Sequence, residues 1–209
     1  MARYTGPSCK LCRREGKKLY LKGTRCNSDK CAMERKANAP GSKGRNFRKK
    51  ISDYGLHLRE KQATRRIYGI LERQFRRYFA MASAKDGITG ENLLQILEAR
   101  LDNVLYRMGY APSRKSARQI IRHGHVLVND RKTNIPSFLV KPNQVISIKE
   151  KSRTMNIIQE AMESSTDVSK YEWLEIDKDN FKGTFIAVPS RAQIPVDVDE
   201  RLIVEFYSK

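Results

Sequence analysis

Several features that point to other classes of protein are missing from this chain. It has no apolar run as long as a membrane span, and its first ten residues contain no secretory core, so neither membrane insertion nor export is expected. Its three histidines, His57, His123 and His125, are not spaced with cysteine or carboxylate partners in a recognisable catalytic pattern. Because a Gly-x-Gly-x-x-Gly motif and a P-loop are also absent, the sequence predicts neither an enzyme nor a small-molecule substrate.

Acidic residues are scarce, and this scarcity limits the kind of partner that the chain is expected to bind. The 209 residues contain 42 Lys and Arg against 23 Asp and Glu, which gives a formal net charge of +19. Residues 1–100 hold 25 basic and 9 acidic residues and residues 101–150 hold 9 and 3, whereas residues 151–209 hold 8 and 11. The excess favours a polyanionic partner. Its distribution predicts a nucleic-acid interface on the first two segments and a last segment that faces protein or solvent.

Cysteine is absent beyond residue 31, and the four cysteines that are present predict a metal site. Cys9, Cys12, Cys26 and Cys31 have the spacing C-x2-C-x13-C-x4-C. Each close pair supplies two thiolates from a short turn, so the four can complete a tetrahedral shell around a structural zinc ion. A four-cysteine iron–sulfur cluster and two disulfides are the alternatives for the same residues.

The stretch from Ala39 to Lys50 is punctuated by proline and glycine and ends in basic residues. It predicts a loop or arm that becomes ordered on RNA, with a solvated linker as the alternative. A basic amphipathic helix is then predicted from Asp53 to Met81. Its aromatic residues, Phe75, Tyr78 and Phe79, are expected in the core, with base stacking as the alternative. The arginines of this helix are the expected phosphate contacts.

A second, apolar helix is predicted from Thr89 through Met108 to a stop at Gly109. It is expected to be a core helix that carries no chemistry.

The most informative short segment begins at Ser113, a helix-capping residue, and ends at Gly124, a helix stop. Arg114, Arg118 and Arg122 recur every four residues, which predicts one basic face opposite an apolar one. Three like charges at this spacing repel one another, and the segment contains no acidic residue. RNA contact is therefore expected, with a solvated face as the alternative.

Apolar residues alternate after this helix, which predicts a small antiparallel sheet behind it. A turn at Asn129-Asp130 separates the first strand from the next. The strands are expected at 126–128, 138–140, 145–148, 172–176, 184–188 and 202–206, with a helix at 155–162.

These residues carry a family resemblance. The run from Ala99 to Gly109, the segment from Ser113 to Arg122 and the strands at 126–128 and 145–148 resemble the RNA-binding module named after the fourth protein of the small ribosomal subunit. Motifs such as Ser52-Asp53-Tyr54-Gly55 extend the resemblance to the bacterial ribosomal protein family essentially end to end. The four cysteines resemble the zinc-binding branch of that family, since some bacterial members lack them.

The residue patterns and the resemblance together imply an α+β fold. It comprises a helical N-terminal domain with a four-cysteine zinc module and a small helix-and-antiparallel-sheet RNA-binding domain. The expected divisions are a zinc-binding basic module and arm at 1–50, the helical part of the N-terminal domain at 51–98, the RNA-binding module at 99–165, and C-terminal strands and tail at 166–209.

The resemblance implies a cytoplasmic, structural constituent of the small ribosomal subunit. Family members are primary 16S rRNA-binding proteins that nucleate subunit assembly at the 5′ domain and contribute to translational accuracy and to the mRNA entry channel. The implied partners are 16S rRNA, the fifth small-subunit protein, other small-subunit proteins and mRNA.

The candidate site residues follow from the charge pattern and the resemblance together. The residues expected to bind rRNA are Arg3, Arg13, Arg14, Arg59, Lys61, Arg65, Arg66, Arg73, Arg76, Arg77, Arg114, Lys115, Arg118, Arg122 and His123. Those expected at the entry channel are Arg45, Arg48, Lys49 and Lys50, and those expected to contact the neighbouring protein are Asp199, Glu200 and Arg201.

Two other functions fit parts of the sequence. Similar modules occur beside catalytic domains in tyrosyl-tRNA synthetases and pseudouridine synthases, but the rest of this chain lacks the motifs of such a domain. A zinc-dependent DNA-binding regulator is expected to place a recognition helix within or just after the cysteine cluster, and none is visible there. Basic residues spread over so much of the chain fit an extended rRNA footprint better than one major groove.

Overall fold

The computed structural model describes residues 3–36, 38–41, 51–164 and 171–208. The chain divides into two compact units, one comprising Met1–Leu93 with Val196–Lys209 and the other Leu94–Pro195. The first unit is helical and the second combines helices with an antiparallel sheet, so the predicted α+β class is confirmed. None of the helices in the described ranges is long and apolar enough to cross a membrane.

The helices and strands are labelled in chain order. The helices are α1 (Ser8–Glu15), α2 (Ala32–Arg35), α3 (Asp53–Ile67), α4 (Glu72–Ser83), α5 (Thr89–Glu98), α6 (Leu101–Arg107), α7 (Arg114–Arg122), α8 (Asn156–Ser164) and α9 (Glu200–Ser208), and the strands are β1 (Val126–Val128), β2 (Arg131–Lys132), β3 (Gln144–Ile148), β4 (Leu174–Asp177) and β5 (Lys182–Phe185).

The basic helix predicted from Asp53 to Met81 is two helices, α3 and α4. Gly69 has a left-handed backbone with φ of 64°, and its N–H donates to the Arg66 carbonyl. The next residue, Ile70, donates to the Arg65 carbonyl, which completes a Schellman motif. The single-helix prediction is therefore wrong at this point, because glycine allows a turn that the apolar spacing does not reveal.

The apolar helix predicted from Thr89 to Met108 is also divided. Arg100 is extended, with φ of −69° and ψ of 137°, and forms an isolated antiparallel bridge with Leu139. It separates α5 from α6. The predicted stop is confirmed, because Gly109 is left-handed with φ of 80° and α6 ends just before it.

The last element of the chain corrects a predicted strand. Residues 202–206 belong to α9, which packs on α3 within the first unit. Ile203 is fully buried, and the Phe206 ring lies 5.7 Å from the Tyr54 ring on α3. The residues here suit both a strand and one face of a helix, so the helical surface of α3 decides the outcome.

The described strands form one antiparallel sheet in the order β2-β1-β3-β5-β4. Strands at 126–128 and 145–148 match the predictions, and β4 and β5 lie within three residues of the predicted 172–176 and 184–188. The prediction at 138–140 is wrong, because only the bridge at Leu139 forms there and β2 takes the place beside β1. Asn129 and Asp130 both have positive φ, 47° and 59°, as a type I′ hairpin turn requires.

The core of the second unit lies between this sheet and helices α6, α7 and α8. Leu105, Ile121 and Phe185 are fully buried there. Tyr110 is buried with them, and its hydroxyl donates to the Lys182 carbonyl of β5 (2.8 Å). Burial raises the pKa of Tyr110, and the nearby Asp177 raises it further. The helix predicted at 155–162 is present as α8.

Candidate nucleic-acid interface

Helix α7 is positioned as its sequence predicts. The Ser113 hydroxyl accepts a hydrogen bond from the Ser116 amide (3.2 Å) and caps the helix. The chain leaves the helix at His123 and turns at Gly124, whose φ is 75°. The basic residues of α7 differ in exposure, since Lys115 and Arg122 are exposed, Arg114 is half-buried and Arg118 is buried.

Arg118 is neutralised inside the protein. Its Nε donates to Asp102 Oδ2 (3.0 Å), and it is 8% exposed. Arg100 also binds Asp102 through two hydrogen bonds, Nε to Oδ1 (3.0 Å) and Nη2 to Oδ2 (2.6 Å). Asp102 lies on α6 and is 1% exposed. The anion that balances this part of α7 therefore comes from the neighbouring helix, which the sequence argument did not foresee.

Arg114 is held by a second buried carboxylate through an intermediate amide. Its Nε donates to Asn103 Oδ1 (2.7 Å), and its guanidinium lies 4.6 Å from the centre of the Tyr106 ring. The Asn103 amide nitrogen in turn donates to Glu98 Oε2 (2.7 Å). Glu98 also pairs with Arg107, Nη2 to Oε1 (2.9 Å). This chain of contacts fixes the direction of Arg114 while leaving it partly exposed.

In the first unit, the buried carboxylate of Glu15 also pairs with arginines that were predicted to bind rRNA. Its side chain is 1% exposed, and Oε1 accepts from both Arg59 and Arg66. Desolvation lowers the pKa of both arginines. These two predicted rRNA contacts thus link α3 to α1 in the folded protein.

Glu72 lies close to three more of the basic residues that were predicted to bind rRNA. Its Oε1 accepts from Lys61 Nζ (3.0 Å) and from the Tyr207 hydroxyl (2.8 Å), while Arg65 and Arg76 approach at 3.8 and 3.6 Å. Burial raises the pKa of Glu72, but the hydrogen bonds from Lys61 and Tyr207 outweigh it, so the pKa lies below its ordinary value. Lys61 is buried and also lies over the Phe206 ring (4.3 Å).

The other predicted rRNA contacts lie at the surface. Arg73, Arg77 and Arg3 are exposed, and the Arg76 side chain is 71% exposed. Arg13 and Arg14 donate to the backbone carbonyls of Asn38 (2.7 Å) and Pro40 (3.3 Å).

The aromatic residues of α4 belong to the core as predicted. Phe75 and Tyr78 are buried, and Phe79 packs on the Tyr207 ring with 4.5 Å between ring centres.

The four cysteines lie on three neighbouring elements of the first unit. Cys9 and Cys12 lie on α1, Cys26 in a 3₁₀ turn at Gly23–Asn27, and Cys31 immediately before α2. All four are free thiols and all but Cys9 are buried. Burial raises the pKa of Cys12, a hydrogen bond from Leu19 lowers it, and the charges of the other three raise it further. Four soft thiol donors suit zinc. Their side chains do not reach the geometry of a metal site, and no group of three or more His, Cys, Asp or Glu in the described ranges does.

The remaining predicted residues divide between described and undescribed parts of the chain. Asp199, Glu200 and Arg201 form the start of α9, where Asp199 Oδ1 accepts from the Arg201 amide (3.0 Å) and caps the helix. Asp199 and Arg201 are exposed. The entry-channel residues Arg45, Arg48, Lys49 and Lys50 lie outside the described residues.

Sequence reasoning missed the two buried carboxylates Glu98 and Asp102. A signal was present, because both stand in a largely apolar helical stretch that also contains Arg100 and Arg107. An acidic residue at such a position is almost never fully buried unless it is paired. Arg100, Arg107 and Arg118 are therefore structural partners of these two carboxylates. The net charge of the chain alone does not indicate this role.

Two family models match the chain. The model described as ribosomal protein S4/S9 N-terminal domain matches residues 3–98, and the model described as S4 domain matches residues 99–146. Curated proteins called small ribosomal subunit protein uS4 are similar to it over their whole length. The one from Acetivibrio thermocellus is 58% identical over 209 residues, the one from Geobacter sp. (strain M21) 57% over 209, and the one from Thermotoga petrophila 56% over 210. Each alignment covers 100% of both chains. With this identity along the full length, the chain belongs to the uS4 family of small ribosomal subunit proteins.

Proposed function

We propose that this chain is a primary 16S rRNA-binding protein that joins early in small-subunit assembly by binding the 5′ domain. As a member of the uS4 family it is a structural, non-enzymatic and cytoplasmic protein of the small ribosomal subunit. Direct and early binding to one rRNA domain is the finer step, and its support is the distribution of charge over the two units.

The observation that carries the proposal is a set of exposed cations that no carboxylate neutralises in the described part of the chain. Lys115 and Arg122 lie on α7, and Arg73 and Arg77 lie on α4. Their charges are available to phosphate oxygens, whereas Arg118 and Lys61 already have internal partners. Cations fixed on helices recognise the shape of a folded RNA backbone, so binding favours the RNA fold that matches them.

The test is equilibrium binding of the purified full chain to the 5′ domain of 16S rRNA at several salt concentrations. Duplex DNA of equal length and an unrelated structured RNA serve as competitors. We expect a selective dissociation constant on the order of nanomolar, which weakens steeply with salt by about 0.7 to 0.9 log units per phosphate contact. Equal affinity for all three nucleic acids contradicts the proposal and restores the DNA-binding regulator.

Two further contacts in the subunit are proposed from the family resemblance. The exposed start of α9, at Asp199 and Arg201, is the proposed contact with the fifth small-subunit protein, through which the chain influences decoding accuracy. The basic segment from Arg45 to Lys50 is the proposed lining of the mRNA entry channel. A photo-crosslinker at position 201 in reconstituted subunits is expected to capture the fifth protein, and one at position 48 is expected to capture mRNA. A crosslinker at exposed Glu160 in the second unit is the control.

We also propose that Cys9, Cys12, Cys26 and Cys31 bind one structural zinc ion, which would tie α1, the 3₁₀ turn and α2 together. The support is the donor set, namely four free thiols, three of which raise the pKa of the fourth, Cys12. Elemental analysis of the purified chain is expected to give one zinc per molecule and no iron. Chelation should expose residues 1–50 to protease while the second unit stays folded. Protein without metal that resists protease equally well contradicts the proposal.

A further inference from the structure

A cluster of cations lies where α7 ends and the sheet begins. The Lys149 amide donates to the His125 carbonyl (3.0 Å), and Lys132 is opposite Leu127 in the β1–β2 pair. These contacts bring three chain segments to one end of the sheet. His123 and His125 flank Gly124, and the centres of their rings are 6.0 Å apart.

The left-handed turn at Gly124 leaves space for the side chain of Lys132. A Cβ at this position would clash with Lys132 Cε and lie 3.1 Å from Lys132 Nζ. The Lys132 side chain therefore packs on the backbone of Gly124. Its ammonium group lies beside His123 and His125, which flank this glycine. Without a side chain at Gly124, a lysine and two imidazoles share one small surface.

This cluster has no internal counter-ion in the described part of the chain. Arg122, Lys132 and Lys149 form no ion pair there, whereas the buried carboxylate of Asp102 pairs with Arg118 in the middle of α7. The acidic residues nearest in sequence, Asp130 and Glu150, are exposed and pair with none of these cations. Arg131 and Lys151 are exposed as well, and the Arg153 guanidinium lies 5.5 Å from the centre of the Phe181 ring.

The electrostatics at His125 report the same concentration of positive charge. Its pKa is lowered by burial first and then by the charges of His123, Lys149 and Lys132. Positive charge close to the ring opposes protonation, so each of these neighbours disfavours a proton on His125. The Ser152 hydroxyl lies 2.8 Å from His125 Nδ1, which leaves Nε2 as the ring nitrogen for an external acceptor.

We infer that His123, His125, Lys132 and Lys149 form a second phosphate-binding site for folded RNA, and that this site takes up a proton when a backbone phosphate binds. The inference rests on the proposed rRNA-binding function and deepens it. The ligand is a phosphodiester group of the RNA, which accepts hydrogen bonds from the lysines and from an imidazolium. The exposed Lys115, which supports the proposed rRNA-binding function, lies near the other end of α7.

Proton uptake follows from electrostatics. A bound phosphate offsets the cations that disfavour protonation of His125, so the pKa of the histidine is higher in the complex than in the free protein. Between these two pKa values binding consumes a proton, and affinity rises as the pH falls. One proton taken up corresponds to at most about a tenfold tighter complex per pH unit. We expect about three- to tenfold tighter binding at about pH 6 than at about pH 7.5, since an ordinary histidine titrates in this range.

The experiment measures the binding of the full chain to the rRNA 5′ domain at both pH values and constant ionic strength. Lys132→Gln and Lys149→Gln remove the lysine charges, and the double variant His123→Gln/His125→Gln removes both imidazole rings. Lys141→Gln is the matched control, because Lys141 is an exposed lysine of the same unit that precedes β3, at the end of the strand opposite Lys149. Thermal unfolding of each variant verifies that the fold is intact.

The expected results separate this site from the general function. Each lysine variant of the site should flatten the log–log salt slope by about 0.7 to 0.9, and the double histidine variant should abolish the gain in affinity at low pH. Lys141→Gln should change neither quantity. If the wild-type chain binds rRNA selectively but the site variants behave like Lys141→Gln, the second site is overturned and the proposed function stands. If the wild-type chain shows no selectivity, the proposed function fails first. A gain at low pH that persists in the double histidine variant overturns the proton uptake.

Discussion

The two ends of helix α7 carry similar cations in opposite circumstances. From the start to the middle of the helix, the buried carboxylate of Asp102 on α6 pairs directly with Arg118 and that of Glu98 on α5 holds Arg114 through Asn103, while Lys115 is exposed. At the end of the helix, Arg122 and His123 are exposed and no described carboxylate pairs with them. One end thus uses arginine to fix the packing of the second unit, and the other presents positive charge to a partner. A basic residue in the sequence of an RNA-binding protein is therefore not in itself a phosphate contact.

The strongest test of this difference is to remove the carboxylate of Asp102, which neutralises Arg118. Asp102→Ala leaves the guanidinium groups of Arg100 and Arg118 buried without their counter-ion. We expect the free energy of unfolding to fall by about 3 to 5 kcal/mol. Urea denaturation followed by circular dichroism measures the loss, with Glu160→Gln on the exposed face of α8 as the control. A loss as small as that of the control variant means that Asp102 does not neutralise Arg100 and Arg118.

A crossed pair of arginine variants tests both ends at once. Arg118→Ala removes a buried partner of Asp102, so we expect about 2 to 4 kcal/mol of lost stability. Arg122→Ala removes only an exposed charge and should leave stability within about 0.5 kcal/mol while flattening the salt slope of RNA binding by about 0.7 to 0.9. Salt-dependent binding and thermal unfolding of the two proteins give the four values. The comparison fails if both variants lose stability equally.

The first unit offers a pH test of the same division. The pKa of Glu72 is lowered, so its ionised form is favoured by the fold and its contribution to stability is complete above the ordinary pKa of a glutamate. That contribution is lost as the pH falls through the lower value in the folded protein. Because the side chain is one-third exposed, we expect less than about 1 kcal/mol at neutral pH. Unfolding of Glu72→Gln and wild type, measured across the acid range, should converge at the acidic end. Parallel curves contradict this role.

The smallest effect on stability is expected at the exposed arginines of α4. Arg73→Gln and Arg77→Gln should each leave the unfolding temperature nearly unchanged, because neither side chain has a described carboxylate partner. Each should flatten the salt slope of rRNA binding by about 0.7 to 0.9 if its charge meets a phosphate. A slope equal to that of wild type removes the residue from the interface.

Much of the fold follows from local signals in the sequence. The ends of α7 were predicted from Ser113 and Gly124, since capping and left-handed turns depend on residues within a few positions. The positions of β1 and β3 followed from alternation, which a half-buried sheet requires. The longer helices were predicted without their breaks, because Gly69 and Arg100 interrupt a spacing that otherwise continues.

Less of the candidate site could be predicted from the sequence. The helical spacing grouped Arg114, Arg118 and Arg122 on one face, but a spacing says nothing about which neighbouring helix supplies an anion. Lys132 and Lys149 were missed, because register across the β1–β2 and β1–β3 pairs brings them to His125 and no motif marks them.

The amino-acid order was sufficient for the properties that act locally or sum over the whole chain. These are the net charge, the cysteine spacing, the capped helix from Ser113 to Gly124 and the period of the strands, and they pointed to a polyanion-binding α+β protein. Long-range packing determined which cations remain available and that residues 202–206 are helical. The physical reason is that an ion pair, a buried charge or the choice between helix and strand depends on groups far apart in sequence, such as Asp102 with Arg118 and α9 with α3.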